Sequence, residues 1–159
     1  MIEDDGSEIR FFLKGKGVIY YEKIKSNAHN VMSVLRNFGT TETMRSELAE
    51  MGIPFSYPKP IQLLSYLVGI FSRKDSIVLD SFAGSGTTAH SIIQTNNKNR
   101  DTRRFILCQM PYESAKQEGD DENIARDITA ERVRRVIEGY TDSKGKAVEG
   151  LEGGFQYCR

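Results

Sequence analysis

With 159 residues, 22 basic and 22 acidic side chains and no net charge, the chain can bury one domain core and carries no global field toward nucleic acid or membrane. No apolar run approaches the roughly 18 residues of a membrane-spanning helix, and the start MIEDDGSEIR is acidic and polar, unlike a signal peptide. The two cysteines, Cys108 and Cys158, lie far apart and are expected as reduced, structural thiols of a soluble cytoplasmic protein.

IRFFL and VIYYEKI are rich in aromatic and β-branched residues, with KGKG between them, which predicts a β-hairpin. NAHNVMSVLRNFG fits either a loop or a short helix. In TTETMRSELAEMG, Met44, Leu48 and Met51 recur at helical spacing and Gly52 offers a stop, so a short helix is expected. FSYPKP follows close on Pro54. Proline fixes its own φ and pushes its predecessor toward extended backbone, so this segment reads as rigid and extended. Pro60 suits the first turn of a helix over IQLLSYLVGIF, with Ile61, Leu64, Leu67, Val68 and Phe71 as one apolar stripe.

SIVLDSF begins as a short buried strand and runs into a glycine turn. TTAHSIIQTN then reads as a helix with Ala89, Ile92 and Ile93 inward, and RFILCQM as a second continuous apolar strand with Cys108 in the core. Strand, helix, strand is a βαβ unit, which implies a parallel sheet. ESAKQEGDDENIARD is polar and expected to be loose. TAERVRRVIEGY predicts a helix capped by Thr129, with Ile128 stapled onto Val133 and with Arg132, Arg134 and Arg135 on a solvated face. EGLEGGFQYCR looks like a final strand. His29 and His90 have no neighbours at metal-ligand spacing, so no metal site is expected.

The turn LDSFAGSGTTA admits three ligands. A triphosphate-binding loop needs lysine directly after its last glycine, but Gly86 is followed by Thr87 and Thr88. A dinucleotide fingerprint is matched by Gly84, Gly86 and Ala89, yet the acidic residue it wants at the end of the second strand is replaced by Gln109. Asp80 tilts the balance. A carboxylate beside the helix N-terminus repels a diphosphate and suits a ligand with an ammonium group and no phosphate. S-adenosylmethionine is such a ligand. Gly84 and Gly86 let the backbone approach it, Ser85 and Thr87 add hydroxyls, and Phe82 gives an apolar wall. The plainer reading is that Asp80 only caps the next helix.

Asp80 to Thr88, as D-x-F-x-G-S-G-T-T, closely resembles the methyl-donor motif of DNA amino-methyltransferases. FSYPKPIQLLSYLVGIFSRKD, with Lys59-Pro60 opening a helix, resembles the segment before that motif in the permuted group, whose catalytic motif comes first in the chain. Some relatives have histidine where this chain has Phe55. Together with FGTTETMRSELAEMG, RFILCQMPYE and ERVRRVIEG, the ordered set is similar to the modification subunit of type III restriction-modification systems, over about residues 30 to 159. The resemblance implies that Asp80, Phe82, Gly84, Ser85, Gly86 and Thr87 line the methionine side of S-adenosylmethionine. Ser56, Tyr57, Lys59 and Pro60 would close over it, while Gln109 and Met110 would face ribose and adenine.

The resemblance further implies an α/β, partial Rossmann-like S-adenosylmethionine-dependent methyltransferase fold, a parallel sheet with flanking helices, plus an N-terminal β-hairpin. Residues 1–39 would form the β-rich appendage and 40–159 the donor-binding half. Its catalytic Asp-Pro-Pro-Tyr motif has no counterpart, because no two of Pro54, Pro58, Pro60 and Pro111 are adjacent; Met110-Pro111-Tyr112 comes nearest. No catalytic residue is therefore assigned, and a catalytic half is expected N-terminal to Met1. The implied partners are that half, DNA through the intact protein, a restriction subunit and a second copy of the chain, with adenine-N6 as the amine methylated. Phe11, Phe12, Tyr20 and Tyr21 are expected to pack the hairpin on the catalytic half, or to pair copies in its absence. Two other classes remain open: an NAD-binding oxidoreductase fragment, and a non-catalytic donor-binding or regulatory subunit.

Overall fold

Two seven-residue runs of aromatic and β-branched side chains produce β1 (Glu8–Lys14) and β2 (Val18–Ile24), an antiparallel hairpin with Phe12 opposite Tyr20 and Phe11 opposite Tyr21. Successive residues alternate faces, so one aromatic pair lies on each side, with ring centroids 6.2 and 6.4 Å apart. This hairpin belongs to a unit, residues 1–35, that is separate from the unit of residues 36–159. The computed structural model describes residues 8–15, 17–24, 34–111 and 123–158. His29, the start of NAHNVMSVLRNFG and most of ESAKQEGDDENIARD lie outside the described residues; residues 34–39 are not helical.

In the second unit, Thr40 caps α1 (Thr41–Glu50) by accepting the Thr43 N–H at 3.1 Å, and Met44 and Leu48 are buried as their spacing predicts. Residues 53–60 run irregularly to α2 (Ile61–Phe71). Pro60 stands just before the first helical residue rather than inside the first turn (φ −63°, ψ 136°). The expected α2 stripe holds at Ile61 and Val68, which are buried, and fails at Phe71, which is 79% exposed at the helix end.

β3 (Ile77–Asp80) and β4 (Arg104–Leu107) are parallel, with Leu79 opposite Ile106, and α3 (Thr87–Asn99) connects them. Ala89, Ile92 and Ile93 are buried, and α3 packs on α2 and β4. The strands are not buried on both faces as their apolar runs suggest. Val78, Phe105 and Leu107 are partly covered, whereas Ile77, Leu79 and Ile106 are 52%, 64% and 52% exposed, and Cys108 is exposed beyond them rather than in the core. Parallel strands this apolar normally carry a layer on each side. Among the described residues, nothing supplies the second layer.

Of the segment read as loose, the last four residues open a π-helical turn, Ile124–Ala130, whose N-terminus Asn123 caps. It runs directly into α4 (Glu131–Glu138). Because the backbone is already helical at Thr129 and Ala130, Thr129 does not cap α4; it is buried and bonds elsewhere. Ile128 and Val133 both enter the core with Met44, Leu48, Ile61, Ala89, Ile93 and Val136. β5 (Tyr140–Thr141) and β6 (Ala147–Val148) make a small antiparallel hairpin.

The expected final strand is absent. Residues 149–158 run without a ladder, tethered by Leu151 N–H to Val136 O and by paired bonds between Glu152 and Asn97. Residues 152–158 and β4 together line a cavity of ≈ 730 Å³. The architecture is mixed α/β with small parallel and antiparallel sheets. No helix among the described residues is long and apolar enough to cross a membrane.

Candidate functional site

β3 ends at Asp80, and the chain then makes six tight residues before α3 begins. Both carboxylate oxygens of Asp80 are held: Oδ1 accepts the Phe82 N–H at 3.0 Å and Oδ2 accepts the Thr88 hydroxyl at 2.5 Å. Asp80 thus steadies the start of α3 from the strand end, and still lines the cleft beside it. The turn is tied to β4 through Ala83 N–H to Cys108 O, and through Gly84 N–H to Gln109 Oε1 at 2.7 Å.

Gly84 and Gly86 both have left-handed backbone, φ +52° and +76°, which disfavours any side chain. A Cβ at Gly86 would stand 3.2 Å from the Thr129 carbonyl oxygen, tighter than ordinary packing. At Gly84 it would stand 3.7 Å from the Phe55 ring, on the cleft side of the turn. Thr129 closes the turn from the other side by donating its hydroxyl to Gly84 O at 2.6 Å.

The cleft has a volume of ≈ 190 Å³. It brings together seven of the expected residues: Tyr57 and Lys59 from the proline segment, and Asp80, Phe82, Gly84, Ser85 and Thr87 from the turn. Phe55, Leu64, Ala83 and Thr88 complete its wall, so the ring standing where some relatives have histidine does face it. Five expected residues do not line it. Ser56 is exposed beside Tyr57, Pro60 is buried at the start of α2, and Gly86 is buried under the turn. Gln109 reaches the turn but opens onto the larger cavity, and Met110 is exposed beyond β4.

One residue of this site escapes sequence reasoning. Arg132, expected on a solvated face, is 0% exposed. Its Nη1 donates to Ser85 Oγ and Thr87 Oγ1, each at 2.9 Å, and to Ser85 O at 3.2 Å. Its Nε points to His90 Nδ1 at 3.3 Å and its Nη2 to the Met44 sulfur at 3.5 Å. Burial lowers the Arg132 pKa to about 10, so it stays charged near neutrality. Burial, with Arg132 adding to it, lowers His90 to about 3, which leaves a neutral imidazole with a lone pair for the guanidinium. The signal was present: Arg132 lies midway between Ile128 and Val136 on the inward helical stripe. The neighbouring Arg134 and Arg135 do behave as a surface pair, both bonded to Glu131. No cluster able to hold a metal occurs among the described residues.

A family profile described as DNA methylase, of the N6/N4 type, matches residues 4–137. The chain is 34% identical over 122 residues to the type III restriction-modification enzyme EcoP15I Mod subunit of Escherichia coli, covering 74% of this chain and 19% of that protein. It is 44% identical over 72 residues to the EcoPI Mod subunit of Escherichia phage P1, covering 44% of this chain and 11% of that one. It is 27% identical over 146 residues to the type II methyltransferase M.KpnI of Klebsiella pneumoniae, covering 87% and 35%. The chain therefore spans about a fifth or less of the length of the type III subunits it matches.

Proposed function

The chain belongs to the DNA methylase family, and from that premise we propose that it is the S-adenosylmethionine-binding portion of a DNA adenine-N6 methyltransferase, the modification subunit of a restriction-modification system. Residues 40–159 would be the donor-binding half of a Rossmann-like methyltransferase domain, and 1–39 its β-rich appendage.

The observation that carries this reading is the cleft at the end of β3. A carboxylate, a backbone that approaches without side chains at Gly84, two hydroxyls and the ring of Phe82 meet there. That set suits the amino-acid end of the donor: Asp80 offers negative charge to an ammonium, and the Gly84 turn leaves the space a Cβ would fill. At ≈ 190 Å³ the cleft is small beside the roughly 300 Å³ or more of a whole-ligand pocket. It suits one end of the molecule, with Gln109 and Met110 left for ribose and adenine. Tyr57 and Lys59 would cover the bound end.

Bound there, the donor supplies an electrophilic methyl group. The chain's own residues bind and orient it; they do not activate the amine that would receive it. An exocyclic amine has its lone pair conjugated into the ring and needs acceptors for its N–H bonds together with an aromatic stack. The chain has no Pro-Pro pair to build them. These would come from another region of the whole protein, which would also contact DNA and a restriction subunit. The bare face with Ile77, Leu79 and Ile106 supports a further layer, from that region or from a second copy.

Calorimetry with S-adenosylhomocysteine and with NAD tests the donor. The homocysteine compound is expected to bind at least about tenfold more tightly, since Asp80 in the cleft suits an ammonium and repels the diphosphate of NAD. Tighter binding of NAD overturns the reading. With labelled donor and adenine-containing duplex, the chain alone is expected to incorporate no more methyl than a Lys59→Ala, Asp80→Ala double variant. Incorporation above that level shows that the residues present suffice for transfer.

A further inference from the structure

Arg132 lies under the cleft, and its chemistry constrains what the cleft presents. A guanidinium has five N–H donors and no acceptor. Ser85 Oγ and Thr87 Oγ1, each 2.9 Å from Nη1, must therefore both accept from it. Their hydroxyl hydrogens point elsewhere. That of Thr87 reaches the Lys59 carbonyl at 3.3 Å. That of Ser85 can reach Thr87 Oγ1 only at 3.3 Å, as a second and longer bond to an oxygen that already accepts from Arg132, or turn to the cleft that Ser85 lines. Of the two hydroxyls, that of Ser85 is the one with only a long bond to give up before donating into the cleft.

Charge points the same way. Among the described residues no carboxylate stands within ion-pair distance of Arg132; its partners are hydroxyls, a carbonyl, a neutral imidazole and a thioether. Glu47 is near enough to raise the Arg132 pKa against burial but does not bond it, and a buried cation bonded only to neutral groups is costly to keep unless something in the functional state uses its field. Asp80 lines the same cleft with the opposite charge.

We propose that Arg132 is a positioning residue that holds Ser85 as a hydrogen-bond donor and, with Asp80 opposite, makes the cleft read the carboxylate and ammonium of an amino-acid end in one orientation. This rests on the donor reading above and adds the specificity element to it. Asp80 takes the ammonium; Ser85, charged from beneath through Arg132, takes the carboxylate.

The test compares S-adenosylhomocysteine with its decarboxylated analogue, 5′-(3-aminopropylthio)-5′-deoxyadenosine, by titration calorimetry of the full chain. The unaltered protein is expected to prefer the carboxylate-bearing compound by about tenfold or more, the worth of a charge-assisted hydrogen bond. Arg132→Met and Ser85→Ala are each expected to shrink that preference to about twofold, while Arg132→Lys keeps part of it because an ammonium also donates and carries charge. Ser85→Ala leaves the guanidinium in place, so it decides the matter even if Arg132→Met unfolds. An undiminished preference in Ser85→Ala, or no preference in the unaltered protein when it binds both compounds, overturns the inference alone. Binding of neither compound overturns the donor reading and the inference with it.

Discussion

Two arginines of the second unit are buried, and they are buried in opposite ways. Arg103 donates to the Asp101 carboxylate, to Ser72 Oγ at 2.9 Å and to Ser72 O at 3.1 Å. It joins the end of α2 to the loop that feeds β4, and its counterion is at least as enclosed as itself. Arg132 bonds no carboxylate, feels Glu47 only at a distance, and spends its donors on neutral groups under the glycine turn. The contrast teaches how to sort buried cations. One whose charge is cancelled locally is a clamp of the fold; one whose charge is left standing beside a cleft is part of what the cleft recognises.

The contrast can be broken most forcefully at the Arg103 end. Removing one member of a buried ion pair leaves the other uncompensated, so Asp101→Ala or Arg103→Ala alone is expected to cost about 3–5 kcal/mol of folding stability in urea denaturation. Replacing both with leucine should cost much less than the sum of the two, since no lone charge remains. Where these variants still fold, the preference for a carboxylate-bearing ligand should be unchanged. If Asp101→Ala also abolishes that preference, the two arginines do not differ in kind and the sorting fails.

How much of this was legible in the sequence follows from which interactions are local. The hairpin, α1, the βα turn and the inward residues of α3 came out where their periodicity put them, because alternation and helical spacing are properties of neighbours along the chain. The seven cleft residues that meet do so because the turn and the proline segment are each short and rigid. Burial of the strands misled, since an apolar run tells what a strand needs on its two faces and not which of them is covered. Thr129 looked like a cap because Ser and Thr commonly cap; the π-helical turn before α4, invisible in composition, carried the helix past it and freed the hydroxyl for Gly84. The tail is no strand because its backbone bonds go to Val136 O and the Asn97 side chain rather than to a ladder, a fact of tertiary placement. Arg132 is buried against the expectation from its charge because its position on the inward stripe outweighs that charge.

The last difference between the two arginines is a smaller effect and concerns pH. Arg103 leans on a carboxylate and a serine, whereas Arg132 leans on His90, which must stay neutral to accept from it. His90 has a pKa near 6.5 in the unfolded chain and about 3 in the fold, lowered first by burial and then by Arg132. Below pH 6.5 the unfolded state therefore binds a proton that the folded state refuses, so stability present above that pH is lost as pH falls toward 3. Between pH 7 and pH 5 the loss should be about 2 kcal/mol. Asp127 and Glu131, whose carboxyl groups are held below their ordinary values by arginine partners, add their own losses only at lower pH. His90→Gln keeps an acceptor for the guanidinium but cannot titrate, so its stability should be nearly flat over the same interval. Urea midpoints for both proteins at pH 7, 6 and 5 measure this directly. If the glutamine variant loses as much as the unaltered protein, the imidazole is not the group that ties Arg132 to pH, and the neutral cradle under the glycine turn must be held by its hydroxyls alone.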